Sequence, residues 1–168
     1  MTTSQINVKI NPFKIGDVVV YPTHGVGMIE AEEEEVIAGN KMSFFVVSTV
    51  KNKVTIRVPK TRAFKAGLRH LSSQNELEEA IAILKQKSKV KKGNWPKIAQ
   101  DYNNKINSGK PSLIAAVARD CYEGTSYSEK MLYKEAIGRL STEYALAMGI
   151  DEQSAEKRIV SILRYKVE

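Results

Sequence analysis

Apolar residues in the first 70 positions form short runs of the kind found in β-strands. The segments FKIGDVVVYPTHGVGMIE and KMSFFVVSTVKNKVTIRVP are rich in β-branched and aromatic residues and are separated by glycines and an asparagine turn. In NKVTIRVPK apolar and polar positions alternate, so that one face of the strand carries Val54, Ile56 and Val58. Short runs with a period of two, bounded by turn residues, predict a small, bent antiparallel sheet.

From about residue 70 the apolar spacing becomes that of an α-helix. Apolar residues recur every three or four positions in four groups: Leu77, Ile81 and Leu84; Leu113 and Val117; Leu132, Ala136, Leu140, Tyr144 and Met148; Ala155, Ile159 and Ile162. Capping-box spacing marks two helix starts, Ser73 with Glu76 and Ser126 with Glu129. The second half is therefore predicted to be an all-α helical bundle.

These patterns predict an α+β chain of two domains. The bent antiparallel sheet is expected over residues 12–70 and the helical bundle over residues 71–165. No internal repeat or low-complexity linker separates them. We therefore expect the domains to abut at about residues 68–75.

The composition is that of a globular protein without metal or disulfide chemistry. The 168 residues are 42% hydrophobic, which suffices for a packed core. No apolar run approaches the ~18 residues of a membrane span and no signal peptide is recognisable, so we expect a cytoplasmic protein without membrane contact. Cys121 has no disulfide partner, and with His24 and His70 it gives too few ligands for structural zinc. We expect no metal and no cofactor.

Positive charge is concentrated in two separate segments. The formal net charge of +7 favours a polyanionic partner. Residues 50–70 contain seven basic residues and no acidic one, and residues 85–110 contain eight lysines against Asp101 alone. Acidic residues collect at residues 32–35 and along the C-terminal helices. Two basic surfaces allow two partners.

No arrangement of catalytic residues is recognisable. The chain lacks a Gly-Lys-Ser/Thr phosphate loop, a GxGxxG motif and a plausible triad. His24, in the turn YPTHGVG, has no nucleophile or paired acid and is interpreted as structural, and Cys121 as a core residue. The acidic run at residues 32–35 is interpreted as a solvated hairpin end. The chain is not predicted to be an enzyme.

Arg57 lies on the polar face of a strand that ends at Pro59. A strand arginine is most often exposed and paired with a local acid. Proline cannot donate to a β-ladder and therefore belongs on an edge strand, and an exposed edge can pair with a strand of another protein. This edge is a candidate protein contact.

Trp95, the only tryptophan, lies in the basic stretch KSKVKKGNWPKIAQ, between a candidate N-cap at Asn94 and Pro96 in the first helical turn. Tryptophan is most often a core residue. This one, however, stands at the helix start and not on the repeating apolar stripe. An exposed indole among lysines suits nucleic acid, because lysines hold phosphates while the ring wedges against a base step. We expect Trp95 to be exposed.

Five ordered segments resemble the CarD family of bacterial transcription regulators over residues 12–163: FKIGDVVVYPTHGVGMIE, VTIRVP, GLRHL, NWPKIAQDYNNKINSGKPSLIAAVARD and SEKMLYKEAIGRLSTEYALAMG. The resemblance implies a Tudor-like, SH3-like first domain, related to a module of the transcription-repair coupling factor, that docks on the RNA polymerase β subunit. It implies a helical second domain that places a tryptophan in the minor groove at the upstream edge of the promoter bubble.

The resemblance places polymerase contacts at Thr55, Ile56, Arg57 and Pro59, and DNA contacts at Trp95, Lys97 and Lys130. Lys91 and Lys92 join the DNA contacts because SKVKK is unusually lysine-rich, whereas arginines that some members carry after "RD" are missing. Some relatives carry an arginine where this chain has Glu35, so the polymerase contact is expected to differ there.

The expected function is stabilisation of the open promoter complex, because a tryptophan that binds the unstacked step favours the open state. The expected partners are the RNA polymerase β subunit and promoter DNA at the upstream fork junction, with a monomeric protein associated with the nucleoid through polymerase. Two alternatives stay open. One is a KOW-like RNA-binding or ribosome-associated protein, since GDVVVYPTHGVGMI resembles that pattern too. The other is a protein-interaction adaptor with Trp95 as its anchor and no nucleic-acid contact.

Overall fold

A computed structural model of the protein describes residues 12–89 and 91–165. Five strands come first: β1 Val18–Tyr21, β2 Gly25–Ile37, β3 Asn40–Thr49, β4 Thr55–Pro59 and β5 Arg69–His70. Five helices follow: α1 Gln74–Leu84, α2 Trp95–Asn107, α3 Pro111–Cys121, α4 Tyr127–Met148 and α5 Glu152–Tyr165. The predicted α+β class, a sheet followed by helices, is confirmed.

The strands form one antiparallel sheet in the order β4-β3-β2-β1-β5. The predicted alternation in β4 is confirmed, because Val58 is buried whereas Arg57 is exposed. Val58 pairs with Phe45 of β3, and both belong to a core cluster beneath the sheet. Among the described residues β4 pairs only with β3, so the segment that ends at Pro59 is an edge strand, as predicted.

The acidic run at residues 32–35 is solvated, as predicted, but it lies inside β2, so its placement at the hairpin end was wrong. Strand β2 continues to Ile37, and the turn is made by Ala38 and Gly39 with φ of 50° and 78°. Positive φ at both central residues is the geometry of a tight hairpin turn. The sequence signal was weak because alanine rarely occupies such a position. The glutamates instead face basic residues of neighbouring segments, as Glu34 faces Lys41 at 2.8 Å.

The helices enclose a second core, built from most of the apolar positions that the sequence predicts. Met148 is an exception, because it is 37% exposed at the end of α4, and Leu113 lies outside this core. Both predicted capping boxes form, at the start of α1 and at the start of α4. Cys121 is 2% exposed in this core, which confirms its assignment as a core residue. Within the described part of the chain, no helix is both long and apolar enough to cross a membrane.

Helix α4 is the element that joins the two halves. Its central turns are buried on every side, at Ala136, Ile137, Gly138, Leu140, Ser141, Thr142, Glu143, Tyr144 and Ala145. A helix without a solvated face lies between layers. Here α4 packs against α3 and α5 and also contacts β2. The small residues in this stretch permit that close approach.

Candidate functional site

The edge strand β4 carries an arginine that is already engaged within the sheet. Arg57 donates from Nη2 to Oε2 of Glu35 at 2.9 Å and lies 3.1 Å, at Nε, from Oε2 of Glu33. The guanidinium carbon stands 4.6 Å from the ring centroid of Phe44. The hydrogen bond to Glu35 is the main cause that raises the pKa of Arg57. Arg57 therefore has two nearby acidic partners of the kind that is typical of strand arginines.

The rest of the edge is open to a partner. Thr55 is exposed, and Ile56 and Pro59 are partly buried. Their strand has a hydrogen-bonding partner on one side only among the described residues. Because Arg57 is about half exposed, its pairs with Glu33 and Glu35 are screened by solvent and contribute little stability. A partner can therefore recruit the guanidinium at small cost.

Trp95 is neither a fully buried core residue nor the exposed residue that the sequence predicts. It is the first residue of α2, after Asn94 at the N-cap and with Pro96 in the first turn. Its side chain is partly buried and packs against the helical core. The remaining surface of the ring lines a cleft of about 260 Å³. Trp95 is only half-buried because it lies at the first turn of α2. From there one part of the ring packs on the helical core, as Ile98 does, and another part borders solvent.

The cleft is built from four segments of the helical half and from the α3–α4 loop, which contributes Glu123, Gly124 and Thr125. Its lining comes from the α1–α2 linker, α2, the end of α3, the α3–α4 loop and the start of α4: Ser88, Lys91, Trp95, Ile98, Tyr102, Asp120, Glu123, Gly124, Thr125 and Glu129. Three of these residues are acidic. Glu129 is occupied by its capping box, whose hydrogen bonds from Ser126 lower the pKa of this carboxyl. The cleft is thus lined by both acidic and basic residues. The positive charge that would attract an anion has to come from residues around the cleft.

Arg119 and Asp120, at the end of α3, fix the linker that precedes Trp95. The Arg119 side chain is buried and donates from Nε to Asp120 at 2.8 Å and from Nη1 to Gln86 at 3.0 Å. Asp120 accepts from the backbone nitrogen of Lys89 at 2.9 Å, and the Ser88 hydroxyl donates to the carbonyl oxygen of Arg119 at 2.8 Å. The lysine-rich segment is therefore anchored where it leaves α1.

The candidate phosphate-binding lysines differ in their surroundings. Lys91 pairs with Asp101, and its ammonium stands 5.0 Å from the ring centroid of Tyr102. This hydrogen bond is the main cause that raises the pKa of Lys91 and lowers the pKa of Asp101. Lys92, Lys97 and Lys130 are exposed and make no ion pair with any residue that the structure describes. These three have their full charge available to an anion.

The structure brings only part of the predicted set together. Lys91 and Trp95 line the same cleft, whereas Lys130 follows the lining residue Glu129 on α4 and does not itself line the cleft. Thr55, Ile56, Arg57 and Pro59 lie on the separate edge of the sheet. Sequence reasoning missed the pairing of Asp101 with Lys91, although a single acid among eight lysines was a usable signal. It also missed the linker contacts of Arg119 and Asp120, because no periodic pattern of residues indicates them.

Comparisons with known proteins match both halves. The family description "CarD-like/TRCF RID domain" matches residues 13–72, and "CarD, C-terminal domain" matches residues 79–160. A Bacillus subtilis (strain 168) protein named "Putative transcription factor YdeB" is 27% identical over 146 residues, which cover 84% of this chain and 95% of that protein. The first match includes the β4 edge, and the second includes Trp95 and the lysines around it.

Proposed function

Because the chain belongs to the CarD family of transcription regulators, we propose that it binds the β subunit of RNA polymerase through the β4 edge and stabilises the open promoter complex through Trp95. The observation that carries this proposal is the pair of separate surfaces. One is a sheet edge that has no strand partner among the described residues and carries a weakly held arginine; the other is a half-buried tryptophan near Lys92 and Lys97, which make no ion pair with a described residue. One surface suits a protein strand and the other suits DNA.

The polymerase contact is supported by the chemistry of the edge. A strand of the partner can add to β4, because main-chain groups on its outer side have no strand partner among the described residues. The guanidinium of Arg57 can then leave Glu33 and Glu35 and form a bidentate pair with a carboxylate of the partner. Thr55 and Pro59 flank that contact on the same strand.

The DNA contact is supported by the position of Trp95 at a helix start. The lysines at 92 and 97 lie three residues before and two residues after it and can bind phosphates without regard to sequence. The indole can wedge against a base step at the edge of the bubble, where the step is already unstacked. Since this contact exists mainly in the open state, it shifts the equilibrium toward the open state by that difference in binding free energy.

The proposal requires no catalytic residue, metal or cofactor of this chain. Promoter specificity arises from tethering, because polymerase binding fixes the local concentration of the helical half beside the junction. Neither surface therefore needs to bind tightly alone.

Binding to forked and to fully paired promoter DNA, each with and without RNA polymerase, tests the proposal. We expect weak binding to either DNA alone, and tight binding to the forked DNA when polymerase is present. Preferential binding to single-stranded or structured RNA would instead support a KOW-like RNA-binding protein. Binding to polymerase with no dependence on the fork would support an adaptor without nucleic-acid contact.

A further inference from the structure

A partly buried ion pair joins the sheet to helix α4. The Glu143 side chain is only 4% exposed, and its carboxylate accepts from Nη1 and Nη2 of Arg69 on β5 at 2.7 and 3.0 Å. The backbone nitrogen of Ser72 donates to the same carboxylate at 2.8 Å. Arg69 also donates from Nη2 to the carbonyl oxygen of Gly109, between α2 and α3, at 2.6 Å. One arginine thus links β5 to two separate parts of the helical half.

A second arginine makes the reciprocal contact, one helical turn away on α4. Arg139 donates from Nη1 to the carbonyl oxygen of Pro22 at 2.7 Å and from Nη2 to that of Thr23 at 2.6 Å. Gly109 packs closely on Pro22: a Cβ added to Gly109 would stand only 2.8 Å from the Cα of Pro22. The β-sheet half is therefore held to the same face of α4 at two successive helical turns, through Glu143 and through Arg139.

We infer that Glu143 is a positioning residue that, with Arg69 and Arg139, fixes the β4 edge and the Trp95 cleft in one relative orientation. A buried carboxylate with three donors loses its partners if the halves rotate, and an unpaired buried charge is strongly unfavourable. The two halves consequently behave as one rigid body and not as two modules on a flexible tether.

The consequence for activity rests on the proposed function. A flexible tether would leave the helical half to search for the junction after the sheet has bound polymerase. A fixed orientation removes that search, because the ordering has been completed during folding. The fixed orientation is therefore expected to lengthen the lifetime of the open complex without altering either binary affinity.

Rigidity can be measured without polymerase or DNA. Spin labels at Val36→Cys on β2 and Tyr127→Cys on α4 report the distance between the halves, since these positions are 68% and 79% exposed. The native Cys121 does not compete, because burial raises the pKa of its thiol to about 12. Glu156→Gln, at an exposed position of α5, is the matched control for Glu143→Gln. We expect a single narrow distance distribution for the parent chain and for Glu156→Gln, and a broadened one for Glu143→Gln.

A distribution as narrow in Glu143→Gln as in the parent would overturn the inference. Circular dichroism establishes first that the variant is folded. If the variant is not folded, the distance distribution is measured in Arg139→Gln instead. That variant removes the contacts to Pro22 and Thr23 and leaves Glu143 paired.

The same variants are then assayed on promoter complexes. In Glu143→Gln we expect open-complex lifetime to fall about tenfold while affinities for polymerase alone and for forked DNA alone stay at the parent values. Equal loss in both binary affinities would mean a merely structural role and would contradict the positioning role. If the parent chain itself fails to stabilise open complexes, the proposed function fails, and the distance measurement still decides whether the halves are locked.

Discussion

Arg57 on β4 and Glu35 on β2 are joined by a hydrogen bond of 2.9 Å across the outer face of the sheet. Between their strands lies β3, whose Phe44 supports the guanidinium from below. Arg57 therefore meets any partner as a cation that two carboxylates already neutralise. We therefore expect the proposed contact with polymerase to depend on an exchange of partners by Arg57, and not on its exposure alone.

If Arg57 exchanges Glu35 for a carboxylate of polymerase, substitutions of Arg57 and of Glu35 should change the affinity for polymerase in opposite directions. Arg57→Ala should weaken binding to RNA polymerase, because the partner's carboxylate loses its forked donor. Glu35→Gln should strengthen binding by a factor of about 2 to 5, since an exposed and only weakly stabilising ion pair no longer has to be broken. Affinity for the isolated β subunit, measured by interferometry, tests both.

Glu34→Gln is the matched control, because Glu34 pairs with Lys41 and not with Arg57. It should leave the affinity at the parent value. If Glu35→Gln binds no better than Glu34→Gln, Arg57 does not exchange partners on binding. The reversal Arg57→Glu is less informative, since it would place a third carboxylate beside Glu33 and Glu35.

The lysines around Trp95 are expected to contribute unequally to DNA binding. Replacing Lys92 and Lys97 by alanine should weaken binding to all sequences alike and reduce the salt slope by roughly one unit for each lost phosphate contact. Lys91→Ala should change the slope less, because Asp101 already compensates the charge of Lys91. Titrations of fluorescent DNA at several salt concentrations measure these slopes. Equal slopes for all variants and the parent would exclude these lysines from the interface.

Asp101→Asn is expected to increase DNA affinity. The substitution removes a negative charge beside the cleft and releases Lys91 to bind a phosphate, so the salt slope should become steeper by up to about one unit. The double variant Asp101→Asn with Lys91→Ala is the control, and it should lose most of that gain. An unchanged slope in Asp101→Asn would mean that Lys91 does not reach the DNA.

The same aspartate predicts a pH dependence of stability. Because its folded pKa is lowered, mainly by the hydrogen bond from Lys91, the stabilising contribution is complete above the ordinary aspartate pKa of about 4 and is lost as the pH falls through the lower folded value. Asp101→Asn should thus unfold more easily than the parent at pH 7, and the difference should shrink in acid. Urea unfolding at several pH values measures it. A difference that grows in acid would contradict this sign.

Local patterns predicted the elements of this fold well. The alternation in NKVTIRVPK and the proline at its end sufficed to place β4 at the sheet edge, because both rules depend only on local backbone chemistry. The two capping boxes were likewise predicted, since cap and N3 residue are three positions apart. The acidic run was misplaced because the turn at Ala38 and Gly39 carries little signal.

Contacts between distant segments could not be predicted in the same way. Arg69 and Glu143 are 74 positions apart, and the local hydrogen bonds of Arg69, to His70 and Ser72, do not indicate this pairing. The degree of burial of Trp95 depends on how the end of α3 and the start of α4 approach the first turn of α2. Such packing is a property of the assembled bundle, and the position of Trp95 outside the apolar stripe indicated only that it is not a central core residue.

Because Trp95 is half-buried, we expect its loss to reduce the free energy of unfolding by an intermediate amount. Trp95→Ala should lower the free energy of unfolding by about 2 kcal/mol, less than the ~3 to 5 kcal/mol of a fully buried tryptophan. Ile98→Ala, which alters the same cleft, should have an effect of similar size. Thermal and urea unfolding of both variants measure this. Collapse of the helical half in Trp95→Ala alone would mean that the ring is primarily a core residue.

The lifetime of the open promoter complex, measured at 25 °C with folded Trp95→Ala, Trp95→Phe and Ile98→Ala proteins, tests the central claim most directly. We expect Trp95→Ala to lose most of the stabilisation that the parent chain provides, because the ring's contact exists mainly with the unstacked step. Trp95→Phe should restore part of it, since an aromatic face remains, and Ile98→Ala should keep it despite a similar loss of packing. An open complex that decays equally fast with the parent and with Trp95→Ala, or equally fast with Trp95→Ala and Ile98→Ala, would contradict the assignment of Trp95 as the residue that holds the promoter open.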